Sequence, residues 1–131
     1  MKRSPVVHFE MPVKDKKRVT KFYENAFGWN MVVTGAGMGN YVVAQTAETD
    51  EHNMVKTPGN INGGFFDYAD KPGFREPHIV LAVENLEESM TLVKSEGGSI
   101  DGETMDIPKI GKYITIIDTE GNRVGLLQPS R

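Results

Sequence analysis

The chain opens on an alternation of apolar and polar positions. Val7, Phe9, Met11 and Val13 fall on one side and Val6, His8, Glu10 and Pro12 on the other, which predicts a half-buried strand over 6–13. The period then changes. Val19, Phe22, Tyr23, Ala26 and Phe27 recur at i, i+3, i+4, i+7 and i+8, the stripe of an amphipathic helix, with Asp15 placed to cap its start and Gly28 to end it. Lys16, Lys17 and Arg18 crowd its first turn, where the helix dipole mildly disfavours cations, and they read as a solvated face. Trp29–Thr34 and Tyr41–Thr46 read as strands joined by Gly35-Ala-Gly-Met-Gly39, residues 47–60 as an exposed loop, and Ile61–Tyr68 as a returning strand.

After the turn-rich Asp70-Lys-Pro-Gly73 the order restarts. A strand over 77–83 leads to Asn85 as a cap, with Glu88 at capping-box spacing. Leu86, Met90 and Val93 supply the next helix stripe, and Gly97-Gly98 ends it. Strands follow near 99–106, 112–118 and 123–128, the last two joined by a turn at Glu120-Gly-Asn122. His8 and His78, Val13 and Val83, Asp15 and Asn85, and Gly28 and Gly98 each stand 70 residues apart. The later strands also match, Tyr41-Val-Val-Ala44 with Tyr113-Ile-Thr-Ile116 and Gly64-Phe-Phe66 with Gly125-Leu-Leu127.

Such a repeat predicts an α+β fold in one domain spanning 1–131. Two βαβββ modules, 6–68 and 76–128, would stand in a pseudo-twofold arrangement, forming a curved mixed sheet around a cleft. Helices on one side of each sheet would cover Phe9, Met11, Ile79, Leu81 and Val83, leaving His8, Glu10 and His78 on the cleft side.

Composition narrows the class further. A chain of 131 residues buries about two-thirds of its unfolded surface, enough for a real core. A net charge of −3 without a basic stripe argues against nucleic acid as a partner. With no cysteine, disulfide and thiolate chemistry are excluded. No apolar run after Met1-Lys-Arg-Ser-Pro5 is long enough for a signal peptide or a membrane span, so no membrane partner is expected and a cytoplasmic location is.

Among chemical candidates, His8 and His78 lead. Opposed across a pseudo-axis, two imidazoles serve one divalent metal or act as acid and base. A lone strand histidine is more often half-buried and hydrogen-bonded to a neighbour, and it is the matched pair that favours function. Glu10 lies two residues beyond His8, about 6.6–7 Å along a strand, which makes shared ligation of one ion awkward but suits a general base or a polar anchor. A salt bridge at the rim explains it equally well. Gly64 and Gly125 stand in strand interiors, either as room for a ligand or as bulges that curl the sheet. Tyr41, Phe66, Tyr113 and Arg123 would line the same side, though aromatics there serve equally as core. The glycines at 35, 37 and 39 precede no helix and so make no phosphate loop. His52 reads as a surface residue.

Four segments carry a family resemblance: His8-Phe-Glu-Met-Pro-Val-x-Asp15, Lys21-Phe-Tyr-Glu-Asn-Ala-Phe-Gly-Trp29, His78-Ile-Val-Leu-Ala-Val-Glu-Asn85 and Asp118-Thr-Glu-Gly-Asn-Arg-Val-Gly125. Together they resemble the vicinal oxygen chelate superfamily of glyoxalase I, bleomycin-resistance proteins and extradiol dioxygenases, and within it the branch related to lactoylglutathione lyase. The resemblance implies paired βαβββ modules and, in glyoxalase-like members, a metal held by residues of the first and last strand of each module. Those positions fall on His8, His78, Gly64 and Gly125, and glycine offers no donor. No tightly bound cofactor is therefore expected, with room left for a weakly held divalent ion. The resemblance implies a small-molecule ligand, a homodimer, and a glyoxalase-like lyase or isomerase using His8, His78 and Glu10. The alternative it carries is a metal-free, resistance-type protein that sequesters its ligand.

Overall fold

The computed structural model describes residues 2–36 and 39–130. Gly37 and Met38, in the middle of the glycine-rich connection, lie outside the described residues. In chain order the elements are β1 (Val6–Val13), α1 (Lys16–Phe27), β2 (Asn30–Val33), β3 (Val42–Gln45), β4 (Asn62–Asp67), β5 (His78–Ala82), α2 (Leu86–Ser95), β6 (Ser99–Ile107), β7 (Gly111–Ile117) and β8 (Arg123–Pro129). This is βαβββ twice, the α+β arrangement expected from the repeat.

The chain divides into two compact units, residues 8–77 and residues 78–130, the second joined by residues 2–7. The Pro5 carbonyl accepts from the Ala82 amide at 3.0 Å and Lys2 pairs with Glu84 at 2.6 Å, which ties the N-terminal segment to the second unit.

In residues 8–77 the strands run β2-β3-β4-β1. β1 and β4 are parallel, because α1 and an antiparallel pair intervene between them, and the other neighbours are antiparallel. In residues 78–130 the order is β6-β7-β8-β5, with β5 parallel to β8. The repeat holds down to register. Glu10 and Val43 flank Gly64 in the first unit, as Val80 and Thr115 flank Gly125 in the second.

Each helix covers one face of its own sheet. Val13, Met31, Val42, Ala44 and Phe65 form the first core, with Phe9, Met11, Val19, Tyr23 and Trp29 packed against it. Val83, Leu86, Ile114, Ile116 and Leu126 form the second, with Leu81, Met90, Val93, Ile100 and Val124 around them. Phe65, Leu86 and Ile114 are fully enclosed, and truncating such a residue typically costs about 2–5 kcal/mol.

Local signals set the helix ends. The Asp15 carboxylate accepts from the Arg18 amide and the Asn85 side chain from the Glu88 amide, both at 3.0 Å. Gly28 takes φ +71°, a left-handed conformation that a β-carbon would penalise, and its amide reaches back to the Glu24 carbonyl.

Several expectations need correction. The helix stripe of α1 is covered only in part: Val19 and Tyr23 pack against the first core, while Phe22 and Phe27 are 55% and 62% exposed. Ile79 is exposed rather than under a helix. Trp29 lies outside β2 and instead stacks on Tyr23 at 4.4 Å between ring centroids. Lys16 is no free surface cation, since its ammonium meets Asp67 at 3.2 Å, while Lys17 and Arg18 are exposed as expected.

Candidate functional site

On the sheet face away from each helix, the polar candidates gather in two matched groups, one per unit. Strand alternation places Phe9, Met11 and Val13 in the core beneath α1, which turns His8 and Glu10 to the opposite face. There His8 Nε2 lies 3.0 Å from the Tyr41 hydroxyl, and that hydroxyl donates to Glu10 Oε2 at 2.8 Å. Tyr41, just before β3, is held by its own backbone, whose carbonyl accepts from the Thr34 amide. All three side chains are half-buried.

A phenol has one hydrogen to give. With it directed to Glu10, the Tyr41 oxygen is left to offer His8 a lone pair. Glu10 and His8, too far apart along β1 to share an ion easily, are thereby linked through a hydroxyl contributed by another strand.

The second unit repeats the pairing with looser geometry. His78 Nε2 and the Tyr113 hydroxyl are 3.4 Å apart. The position matching Glu10 is Val80, which is buried. Arg123 stands level with His78 but extends across β7 to form an ion pair with Asp101 on β6. Its counterpart, Asn62, accepts instead from the Thr46 and Ala47 amides at 2.8 and 2.9 Å, fixing the chain after β3.

The two glycines explain how these pairs form. A β-carbon on Gly64 would run into the ring and hydroxyl of Tyr41, and one on Gly125 into the Tyr113 hydroxyl. Tyr113 stands opposite Leu127, two places along from Gly125, and leans diagonally over that glycine toward His78, and Tyr41 lies likewise over Gly64 and reaches His8. Close approach is thus the reason for glycine here, and the approaching group is the protein's own tyrosine. Phe66 lies on the same face and meets Phe74 edge-on at 6.1 Å.

These residues do not suit a glyoxalase-type metal. The last-strand positions carry no donor atom, tyrosine rings fill the space above them, and tyrosine hydroxyls engage both histidines. Among the described residues, no three His, Asp or Glu side chains are grouped to hold an ion. His52 is exposed beside Glu51, away from this chemistry.

Sequence reasoning named His8, Glu10, Tyr41 and Gly64 without the bond that joins the first three. It missed Asp101 and Asn62 altogether. The matched Tyr and Gly pairs of the two halves were the available signal for the tyrosine-over-glycine packing. Nothing local marks Asp101 as the partner of Arg123.

Residues 6–126 match the Glyoxalase/Bleomycin resistance protein/Dioxygenase superfamily. The chain belongs to this superfamily. No curated protein matches it in sequence. Among solved structures, methylmalonyl-CoA epimerase from Mycobacterium tuberculosis aligns over 100% of this chain and 93% of its own, with a TM-score of 0.66 at 16% identity. A Streptomyces coelicolor methylmalonyl-CoA epimerase variant in complex with 2-nitronate-propionyl-CoA gives 0.71 at 10% identity, covering 99% and 100% of the two chains. A superfamily member from Vibrio splendidus gives 0.61 at 12%, covering 96% and 99%. At these identities the likeness is one of fold. Among the described residues no helix is long and apolar enough to cross a membrane.

Proposed function

We propose that this superfamily member binds a small organic molecule carrying oxygen acceptors, through its tyrosine–histidine pairs and without a resident metal. One observation carries the reading: in both units the last-strand position that would hold a metal ligand is a glycine covered by a tyrosine, whose hydroxyl engages the first-strand histidine. A hydroxyl and an imidazole in contact present both a donor and an acceptor to a ligand, and polar groups so placed fix its orientation. Any divalent ion at His8 or His78 would be weakly held, with water or ligand oxygens completing its shell.

A second reading, a lyase or isomerase of the glyoxalase-like kind, draws on the Glu10–Tyr41–His8 chain alone. A carboxylate, a phenol and an imidazole in series can pass a proton to or from a bound carbonyl compound. The epimerases among the fold neighbours are isomerases by name, which is compatible with that reading.

Native mass spectrometry of the purified protein, with and without chelator, tests the first reading. A co-purifying organic ligand retained after chelation, and lost in Tyr41→Phe or Tyr113→Phe, is the expected result. One stoichiometric metal per chain, whose removal releases the ligand, would defeat it.

A further inference from the structure

Two aromatic rings stand outside the first core, on the sheet face that carries the Glu10–Tyr41–His8 chain. Gly64 and Phe66 are two places apart on β4 and so share that face, about 6.6–7 Å apart along the strand. Phe65, between them, turns into the core instead. Phe66 is therefore the next group along β4 from the space that the Tyr41 ring fills above Gly64. It is half-buried, and Phe74 meets it edge-on, with ring centroids 6.1 Å apart and planes at 84°. Neither ring belongs to the first core, and Phe74 is 38% exposed.

Phe74 reaches Phe66 from a braced turn. The Tyr68 amide donates to the Val13 carbonyl at 2.9 Å, which ties the start of the segment to the end of β1. The Ala69 amide donates to the Phe74 carbonyl at 3.2 Å, and the Phe74 amide to the Lys71 carbonyl at 3.1 Å. Asp70 pairs with Arg75 at 2.8 Å, and the Lys71 ammonium stands 4.5 Å from the centre of the Phe74 ring. Ala69, Asp70, Lys71, Pro72 and Gly73 are small, charged or turn-forming, so the turn itself does not call for a phenyl ring at 74. What the ring does is extend the apolar surface that begins at Phe66.

We propose that Phe66 and Phe74 form the apolar wall of the site in residues 8–77, and that the ligand it takes is an aryl carbonyl compound. The carbonyl oxygen meets the His8–Tyr41 pair, and the ring lies against Phe66 and Phe74, continuing their edge-to-face packing. The inference rests on the reading of the polar chain as a device that orients a ligand, and it adds the part of the ligand that supplies affinity. Small-molecule sites divide the work in this way, a few polar groups fixing orientation and apolar surface providing most of the contact.

Acetophenone and acetone share an acetyl group and differ in the ring, so amide chemical-shift titrations of the full chain with each of them test this. Acetophenone is expected to bind about tenfold more tightly than acetone and to move the amides of Phe66 and of residues 69–74. Phe74→Ala, with an unchanged circular dichroism spectrum, should reduce that preference to about threefold or less, and Phe74→Tyr should keep it. Tyr41→Phe should weaken both ketones alike and leave their ratio in place. Equal affinities in the wild-type protein, or a preference that survives Phe74→Ala, would overturn the proposal. So would shifts confined to the exposed Phe22 and Phe27 of α1, which would assign the ring to a different surface. A ring preference that depends on Phe74 but is indifferent to Tyr41→Phe would uphold the wall and defeat the reading of the polar chain instead.

Discussion

The ring of Tyr41 occupies the space that a β-carbon on Gly64 would need. This packing rather than local backbone geometry accounts for the glycine, since Gly64 sits within an extended strand with ordinary pairing to Glu10 and Val43. Alanine at 64 should therefore force the tyrosine aside and cost about 1–3 kcal/mol, the usual penalty for overfilling a packed site. In a Tyr41→Ala background the same Gly64→Ala change should cost far less. Urea denaturation of the four proteins in that cycle gives the coupling directly, and additive costs would show that the two positions do not compete for space.

Tyr41 and Tyr113 stand on matched strands but in unequal settings. Tyr41 donates to a carboxylate at 2.8 Å and also meets His8 at 3.0 Å, whereas Tyr113 meets His78 at 3.4 Å, near the outer limit of a useful bond. Hydrogen bonds to charged groups contribute about 1.5–3 kcal/mol and neutral ones about 0.5–1.5. Tyr41→Phe should thus lower stability more than Tyr113→Phe, with the half-burial of the site keeping both losses toward the lower end of those ranges. Thermal midpoints measured side by side decide it, and the reverse order would remove the special status given to the Glu10–Tyr41–His8 chain.

The duplicated βαβββ order was legible because its signals are local. Caps such as Asp15 and Asn85, the stop at Gly28, and the change from strand to helix period need no knowledge of the rest of the chain. What covers a helix stripe is a tertiary matter. Phe22 and Phe27 share the period of Val19 and Tyr23, yet the first pair is exposed and the second packs on the core. The site was legible as a set of residues and not as a set of bonds. His8 and Glu10 share a strand face by alternation, but the hydroxyl that links them comes from Tyr41, leaning diagonally across β4. The Arg123–Asp101 pair was hidden for a related reason: it spans β7, and β6 changes register between Asp101 and Met105.

Asp118 shapes the final hairpin. Its carboxylate accepts from the Asn122 side-chain amide at 2.9 Å, from the Asn122 backbone amide at 2.9 Å and from the Glu120 amide at 2.8 Å. The Asn122 contacts, side chain first, hold its pKa below the ordinary 3.8, since each donor favours the charged form. A depressed folded-state pKa contributes stability that is present above the unfolded value and is lost as pH falls through the folded one. Asp118→Asn keeps an acceptor but removes the charge, so it should lower the thermal midpoint at neutral pH. The gap to wild type should close as the pH drops below about 3.8. A gap that stays constant down to pH 2 would mean that the charge is not what stabilises the turn.

The same tyrosines bear on whether metal capacity can be built in. Gly64→Glu and Gly125→Glu would place carboxylates at the last-strand positions that the family resemblance marks for a metal ligand, beside His8 and His78. Yet each new side chain would meet a tyrosine ring before it could reach an ion. The glutamate variants alone should remain poor binders of zinc or nickel. Adding Tyr41→Ala and Tyr113→Ala should open the space and raise affinity, because a histidine and a carboxylate then converge with no phenol between them. For the unmodified chain, chelator should barely move the thermal midpoint, since a ligand that does not bind the native state cannot stabilise it by mass action. His8→Ala and His78→Ala should weaken ligand binding more than they lower stability, as both histidines are half-buried and lie outside the two cores. Titration calorimetry with zinc and nickel across wild type, the glutamate pair and the four-site variant is the deciding measurement. Tight stoichiometric binding by the unmodified chain, abolished in His8→Ala, would show that the tyrosines yield to the metal and would return the protein to the metal-dependent part of its superfamily.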